Sequence, residues 1–239
     1  MVDICLANFD DLPAILAISN HYVLHSACNF AVEPETLEAW QADYDATQEM
    51  YPWFVAVDSL IPPPFEGGGQ EGGRAGRNEH DSTHPLARSL ERRGEEGDPH
   101  PRPLSGGSRG ERGEVIGFAK AAPYHGRCAY AFAVEITVYV HPDHHGNRIG
   151  KALYGRLLST LKAQGYHAVI AAIAQPNPVS VKLHESLGLS RAGTFRQVGR
   201  KFDRWHDVGY WYATLQGEDH EPGAIRPVRD VVHDETMSD

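Results

Sequence analysis

The sequence predicts an α/β fold around a mixed sheet. Two helical patterns open the chain, and strand-like and helical runs then alternate to its end. The clearest helix, "GKALYGRLLSTLKAQG", carries Ala152, Leu153, Leu157, Leu158 and Leu161 on one face and stops at Gly165.

In chain order, "DDLPAILAISNHYVLHS" has apolar residues at helical spacing behind an Asp suited to capping. "EPETLEAWQADYDA" is a second helix, with Pro34 near its start and Glu and Thr in its first turn. "YPWFVAVDSL" and "EVIGFAKAAPY" are strand-like and flank residues 61–113, where twelve glycines and seven prolines sit among charges. That segment buries too little to offset its ordering entropy, so it is expected to be a disordered insertion in a strand–strand hairpin. Loop closure costs little extra as a loop lengthens, so the hairpin tolerates it. "AYAFAVEITVYV" is a long strand, mixed in polarity at Glu135 and Thr137. After the helix of 150–165, "HAVIAAIA" is a short apolar run expected to be a fully covered strand. "NPVSVKLHESLG" is a helix with Asn177 as cap, Pro178 at its first position and Gly188 after it. "TFRQVGRKFDRWHDVGYWYATL" supplies the last strands. One domain over 1–216 is expected, followed by a flexible acidic tail over 217–239.

Composition excludes several classes of function. With 239 residues and a formal net charge of −10, a general nucleic-acid surface is not expected. No apolar run reaches the ~20 residues that span a bilayer. Cys5, Cys28 and Cys128 are odd in number and irregularly spaced, which fits a reducing cytosol rather than a disulfide framework. His21 and His25, or His141, His144 and His145, match no metal-ligand spacing, so no metal is expected.

Chemistry is expected in "VYVHPDHHGNRIGKAL", residues 138–153. A strand passes through a polar turn into a helix start, with Arg148 and Lys151 beside it. A helix N-terminus offers free N–H groups and a positive dipole end, which together favour phosphate. The same turn also occurs as a plain strand-to-helix connection. A P-loop is excluded, because "GNRIGKA" has three residues between its glycines and Ala152 where Ser or Thr must reach magnesium. Glu135 interrupts an apolar strand just upstream. A half-buried carboxylate there is costly unless used or paired; on an open sheet face it is a solvated side chain.

The run "VEITVYVHPDHHGNRIGKALY" resembles the central motif of the GNAT superfamily of acyl-CoA N-acyltransferases. With it, "NHYVLHSACNF", "YPWFVAV", "QPNPVSVKLHESLGL" and "GRKFDRWHDVGYW" resemble its phosphinothricin N-acetyltransferase branch, in that family's order. The resemblance implies a mixed, mostly antiparallel sheet with helices on both faces, in which the long strand splays from its neighbour. It implies acetyl-CoA as co-substrate. The pantetheine arm would lie along Val138, Tyr139 and Val140, and the pyrophosphate at His145, Gly146, Asn147, Arg148, Ile149, Gly150 and Lys151, with Asn177 as a further contact. His145 stands where the family has Gln or Arg, and Arg148 where it has Gly; only Gly150 is retained.

The resemblance makes Glu135 the general base and His184 its companion near the reacting groups. It puts Arg127, Tyr130 and Phe132 on the acceptor side, with Arg127 suited to a carboxylate. Phe132 stands in place of that branch's Trp, and His125 in place of the Lys of relatives that modify phosphinothricin. The expected function is acetyl transfer from acetyl-CoA to the α-amino group of a small amino-acid-like acceptor, by direct attack in a ternary complex. A homodimer is also implied, and neither nucleic acid nor membrane is an expected partner. The rival readings are a protein or peptide N-acetyltransferase, and a catalytically weak acyl-CoA-binding regulator. Glu135 argues against the regulator, and the altered turn favours it.

Overall fold

A computed structural model describes residues 2–59, 113–217 and 219–236. Seven strands form one sheet: β1 (Val2–Leu6), β2 (Trp53–Asp58), β3 (Glu114–Pro123), β4 (Ala133–Val140), β5 (Ala168–Gln175), β6 (Ser190–Lys201) and β7 (Arg204–Thr214). Their order is β1-β2-β3-β4-β5-β7-β6, and every neighbouring pair is antiparallel except β4–β5. The helices are α1 (Leu12–His25), α2 (Leu37–Thr47), α3 (Ile149–Gln164), α4 (Pro178–Ser186) and α5 (Val228–Thr236). Among the described residues no helix is long and apolar enough to cross a membrane.

Strand alternation sorts the core into two layers. Trp53, Val55 and Val57 of β2 join Leu12, Ile15 and Ile18 of α1 and Trp40 and Tyr44 of α2 on one face. Phe54 and Ala56 turn the other way, toward Leu153, Leu157 and Leu161 of α3, with Val134, Ile136, Val169 and Trp211 in the same layer. A bulge sharpens this division. Val57 pairs Val115 and Ala56 pairs Gly117, leaving Ile116 as the extra residue. Ile116 and Phe118 therefore serve opposite layers.

The expected hairpin is present, since β2 and β3 pair antiparallel from Trp53–Lys120 to Asp58–Glu114. The expected disorder of 61–113 lies outside the described residues, apart from Gly113. Gly165 stops α3 in the left-handed region at φ 101°, and the Asn177 side chain accepts the Ser180 N–H at 3.1 Å.

Four expectations change. β1 carries a strand that the sequence reading passed over, and it completes the edge beside β2. Asp11 precedes α1, but its carboxylate accepts the Asn8 N–H at 2.9 Å and does not cap α1. The second helix starts late, at Leu37, because Thr36 is its cap and Pro34 lies outside it. β5 is not covered on both faces: Val169, Ala171 and Ile173 are buried while Ala172 is exposed, since the α1/α2 layer packs on β2 and β3.

The tail is also more ordered than its composition suggests. Val228 and Val231 are buried, and the Val228 N–H donates to Glu49 O at 2.8 Å. Gln164 holds the approach, its Nε2 donating to Arg226 O at 2.8 Å and Met50 O at 2.9 Å. Two valines at i, i+3 make a short apolar stripe, which the surrounding charges hide.

Candidate active site

The site begins where the sheet forks. β4 and β5 run parallel but pair only at Ala133–Ala168, Val134–Val169 and Glu135–Ile170. Beyond Glu135 both strands continue without pairing each other, to Val140 and Gln175. β4 stays on β3 throughout, from Val134 to Val140. The His141 N–H donates to Ile116 O at 2.8 Å, which fixes the phase of the ladder. Odd residues of β4 turn their backbone toward β3, and Ile136, Val138 and Val140 turn theirs into the fork.

Glu135 is therefore at the vertex. It shares a face with Tyr139, on the α1/α2 side, while Val134 and Ile136 are buried on the α3 side. It is half-buried, and burial raises its carboxyl pKa. Tyr210 of β7 is raised by burial and then by the charges of Glu135 and Tyr124, so these three groups are electrostatic neighbours. Sequence reasoning named Glu135 and missed both tyrosines, whose places depend on strand pairing.

His184 lies on the other side of the sheet. It is only 3% exposed and packs edge-on against Tyr154, with ring centroids 5.1 Å apart. Nδ1–H donates to Ser180 O at 2.7 Å, because a carbonyl can only accept. Nε2 thus offers its lone pair to the Tyr154 hydroxyl at 3.2 Å. That hydroxyl also lies 3.3 Å from Ile136 O, the first β4 carbonyl past the last β4–β5 pair. Burial lowers the His184 pKa, outweighing the bond to Ser180, and favours the neutral ring. His184 thus meets the fork through Tyr154, not beside Glu135.

The turn after β4 enters α3 through two left-handed residues. Gly146 has φ 83° and Arg148 φ 60°, both left-handed. Lys151 and Ala152 N–H both bond Arg148 O, at 3.0 and 3.1 Å. Among the described residues no protein acceptor meets the N–H groups of Gly146, Asn147, Arg148, Ile149 or Gly150. The side chains of Asn147, Arg148 and Lys151 are exposed, whereas Ile149 is buried in the core and offers the site only its amide. Gly150 faces Leu183, Val140 and Val138; a Cβ there would lie 3.4, 3.7 and 4.0 Å from their methyls.

A clamp holds this turn. The Tyr22 hydroxyl donates to Val140 O at 2.6 Å, and His145 Nε2 lies 2.7 Å from that hydroxyl and 3.1 Å from the same carbonyl. Burial pushes the Tyr22 pKa up to about 12, so it remains a donor. His145 thus faces the strand end rather than the turn's open amides. Tyr139 turns its backbone to β3 and packs its ring, tilted, against Tyr22 with centroids 4.9 Å apart, so it belongs to this clamp and not to the fork.

Of the residues expected to face the acceptor, Arg127 is exposed at the cap of the turn Cys128–Tyr130. Tyr130 meets Tyr124 edge-on at 5.6 Å and His125 at 5.1 Å. Phe132 O accepts the His167 and Ala168 N–H groups at 2.9 and 3.1 Å, which fastens the start of the β4–β5 pair.

Residues 69–189 match the acetyltransferase (GNAT) family. The chain is 34% identical over 230 residues to the phosphinothricin N-acetyltransferase of Streptomyces viridochromogenes, spanning 96% of this chain and 94% of that protein. The chain belongs to the GNAT acetyltransferase family. It is also 36% identical over 110 residues to the L-methionine sulfoximine/L-methionine sulfone acetyltransferase of Salmonella typhimurium, covering 46% of this chain and 60% of that one. A phosphinothricin acetyltransferase from Sinorhizobium meliloti, solved in complex with acetyl-CoA, superposes with a TM-score of 0.67 at 25% identity, covering 93% of each chain. The acetyltransferase fold thus brings a forked sheet, an ionisable vertex and an amide-rich turn into one region.

Proposed function

We propose that this acetyltransferase moves an acetyl group from acetyl-CoA to the α-amino group of a small amino-acid-like acceptor, of the phosphinothricin or methionine sulfone and sulfoximine type. The observation that carries the reading is Glu135 at the vertex of the fork, with the backbone of Val138 and the Val140 N–H leading from it to five turn amides that meet no protein acceptor among the described residues. The names of the relatives support the acceptor class.

The donor's pantetheine arm fits the N–H and C=O of Val138 and the N–H of Val140, which turn into the fork, as a substitute for the missing β5 pairing; the Val140 carbonyl is held by Tyr22. Its pyrophosphate fits the amides of 146–150 at the α3 N-terminus, with Lys151 and Arg148 adding charge. Glu135, ionised, takes a proton from the acceptor ammonium. The neutral nitrogen then attacks the thioester carbonyl carbon and the C–N bond forms; the C–S bond breaks, and the leaving thiolate takes up the second proton that the acylated nitrogen sheds, giving the amide and the CoA thiol. His184 orients the Tyr154 hydroxyl at the fork edge, a positioning role. Arg127 is exposed and suited to an acceptor carboxylate. Three free thiols fit work in a reducing cytosol.

The deciding experiment follows acetyl-CoA-dependent thiol release across free amino acids, methionine sulfone, methionine sulfoximine, phosphinothricin and amine-bearing peptides. Turnover with peptides alone would overturn the small-acceptor reading, and no turnover with any amine would overturn the enzyme reading.

Arg148→Gly tests the donor site. Arg148 is held at φ 60°, which costs a non-glycine residue roughly 1–2 kcal/mol. The variant is expected to gain about 1 kcal/mol in denaturant stability and to bind acetyl-CoA as well as or better than the parent. A tenfold loss of affinity by calorimetry would make Arg148 a phosphate ligand instead.

Pairing of two copies is supported by the β6–β7 hairpin. Phe195, Val198, Phe202, Trp205 and Tyr212 are exposed there beside four exposed arginines, 191, 196, 200 and 204. Residues 1–50 carry nine Asp and Glu and no Lys or Arg, so a second copy offers the complementary charge. Val198→Glu with Trp205→Ser should convert a dimer seen by light scattering into a monomer. An unchanged mass would remove the hairpin from the interface.

A further inference from the structure

The fork divides the sheet into two arms. One arm is β1–β4 with α1 and α2; the other is β5, β7 and β6. Within the sheet they share only the three β4–β5 pairs at the vertex. Yet the arms meet again at the mouth, on the face that Glu135 shares. The loop after α1 belongs to the first arm, and the β6–β7 turn to the second.

Two contacts join them. Lys201, the last residue of β6, is 6% exposed and donates to Ser26 O at 3.0 Å and Asn29 O at 2.6 Å. Among the described residues its ammonium has no carboxylate partner. Burying a cation without a carboxylate is costly, and here two loop carbonyls and the Phe202 ring, 5.1 Å from Nζ, receive it. Beside it, the Phe30 ring abuts Gly199: a Cβ at Gly199 would sit 2.0 Å from Phe30 Cε2. His206, 5% exposed, backs this contact, its Nε2–H donating to Lys201 O at 3.0 Å and its ring 6.1 Å from Phe30. The loop is braced from within, Cys28 N–H donating to Ser26 Oγ at 3.1 Å and Ala31 N–H to Asn29 Oδ1 at 2.9 Å. It touches β4 as well, through Tyr139 Oη and Cys28 O at 3.5 Å.

We infer that Lys201 and Phe30 form a latch across the mouth of the fork, which bounds the acceptor's space on the Glu135 face and limits the acceptor to a small molecule. Glu135 and Tyr139 are four residues apart on one strand, about 13 Å at ~3.3 Å per residue. The amine must reach Glu135 at one end of that span, and the latched loop closes the other end at Tyr139. A free amino acid fits within such a length. A peptide continuing from its first residue meets the loop. Lys201 and Phe30 are thus specificity-determining residues that touch neither the donor nor the base. This rests on the proposed acetyl transfer at Glu135.

The test compares Lys201→Met, Phe30→Ala, Gly199→Ala and the double variant Phe30→Ala/Gly199→Ala with the parent. Each variant opening the latch should raise the KM for the best small acceptor at least tenfold. Acetyl-CoA affinity by calorimetry should stay within twofold. Acetylation of amine-bearing peptides, relative to the small acceptor, should rise. Gly199→Ala acts by expelling the Phe30 ring, so the double variant should lose no more than Phe30→Ala alone. A second readout is independent of turnover: amide hydrogen exchange in 26–31 and 199–206 should quicken in Lys201→Met while α3 keeps its protection. If these variants keep the acceptor KM and the peptide ratio within twofold, the latch has no role in specificity, whatever happens to their melting temperatures. Unchanged exchange in both segments would remove the latch itself. A parent that acetylates no amine defeats the proposed function, and the exchange measurement still decides whether the arms are joined here.

Discussion

Glu135→Gln is expected to lower turnover by roughly 10²- to 10⁴-fold, the usual reach of general-base catalysis. Acetyl-CoA affinity should hardly change, because the contacts proposed for the donor are backbone groups of Val138, Val140 and the turn. Burial raises the Glu135 carboxyl pKa, so the parent's activity should climb as pH rises through that shifted value and the carboxylate forms. The variant lacks this limb and keeps only the rise from deprotonation of the acceptor amine. The gap between the two should narrow at high pH, where the amine is already neutral. Stability has the opposite sign. A carboxyl whose folded pKa is raised contributes stability below its unfolded pKa, which is lost as pH rises through the folded pKa. Glu135→Gln should therefore be at least as stable as the parent at neutral pH, and no less stable at acidic pH. Rate–pH profiles for both proteins, with melting curves at the same pH values, decide this. Near-normal turnover of the variant at neutral pH, on an acceptor the parent uses well, would leave Glu135 a solvated strand residue.

The sequence exposed the parts of this site that are local. A polar residue inside β4, a turn with glycines at 146 and 150, and an Asn-Pro start to α4 each have a short-range signature. Each stands where that signature puts it. The order of elements after the hairpin was legible for the same reason, since α3 repeats its leucines at helical spacing. What remained hidden depends on contacts between distant segments. Tyr22 and Val140 are 118 positions apart, and Lys201 and Ser26 are 175 apart. No spacing rule connects such residues. His184 shows the limit from the other side. Its identity suggested chemistry, and its place is a buried ring whose one proton-bearing nitrogen is taken by Ser180 O. β1 escaped notice because "VDICL" is five residues long and gains its meaning only from pairing with β2. α5 escaped because two valines among charges are a weak stripe until Gln164 and Glu49 supply the carbonyls that hold its approach.

Leu157→Ala is expected to destabilise the fold by about 3 kcal/mol, and saturating acetyl-CoA should return nearly all of it. Leu157 has no exposed surface, and it sits between Leu153 and Leu161 on the α3 face that covers β2 and β4. Truncating such a leucine removes its transfer energy and leaves a cavity, for a cost of roughly 2–5 kcal/mol. In a domain of this size that is a fall in melting temperature of about 6–12 °C. The helix that buries Leu157 is also the helix at whose start the pyrophosphate is proposed to bind, so on that proposal the donor site exists only in the folded state. A ligand that binds only the folded state at 100 times its Kd adds about 2.7 kcal/mol. That matches the loss, so the variant with acetyl-CoA should melt close to the parent without it. Kd itself should stay nearly constant, because the cavity lies two turns from the amides of Gly146 to Gly150. Melting curves across a titration of acetyl-CoA measure both quantities. A parent and variant that acetyl-CoA leaves unmoved would mean that the donor does not bind the folded chain at α3. A variant whose Kd rises tenfold would mean that packing at Leu157 sets the geometry of the turn, and that the core and the phosphate site are coupled more tightly than their separation implies.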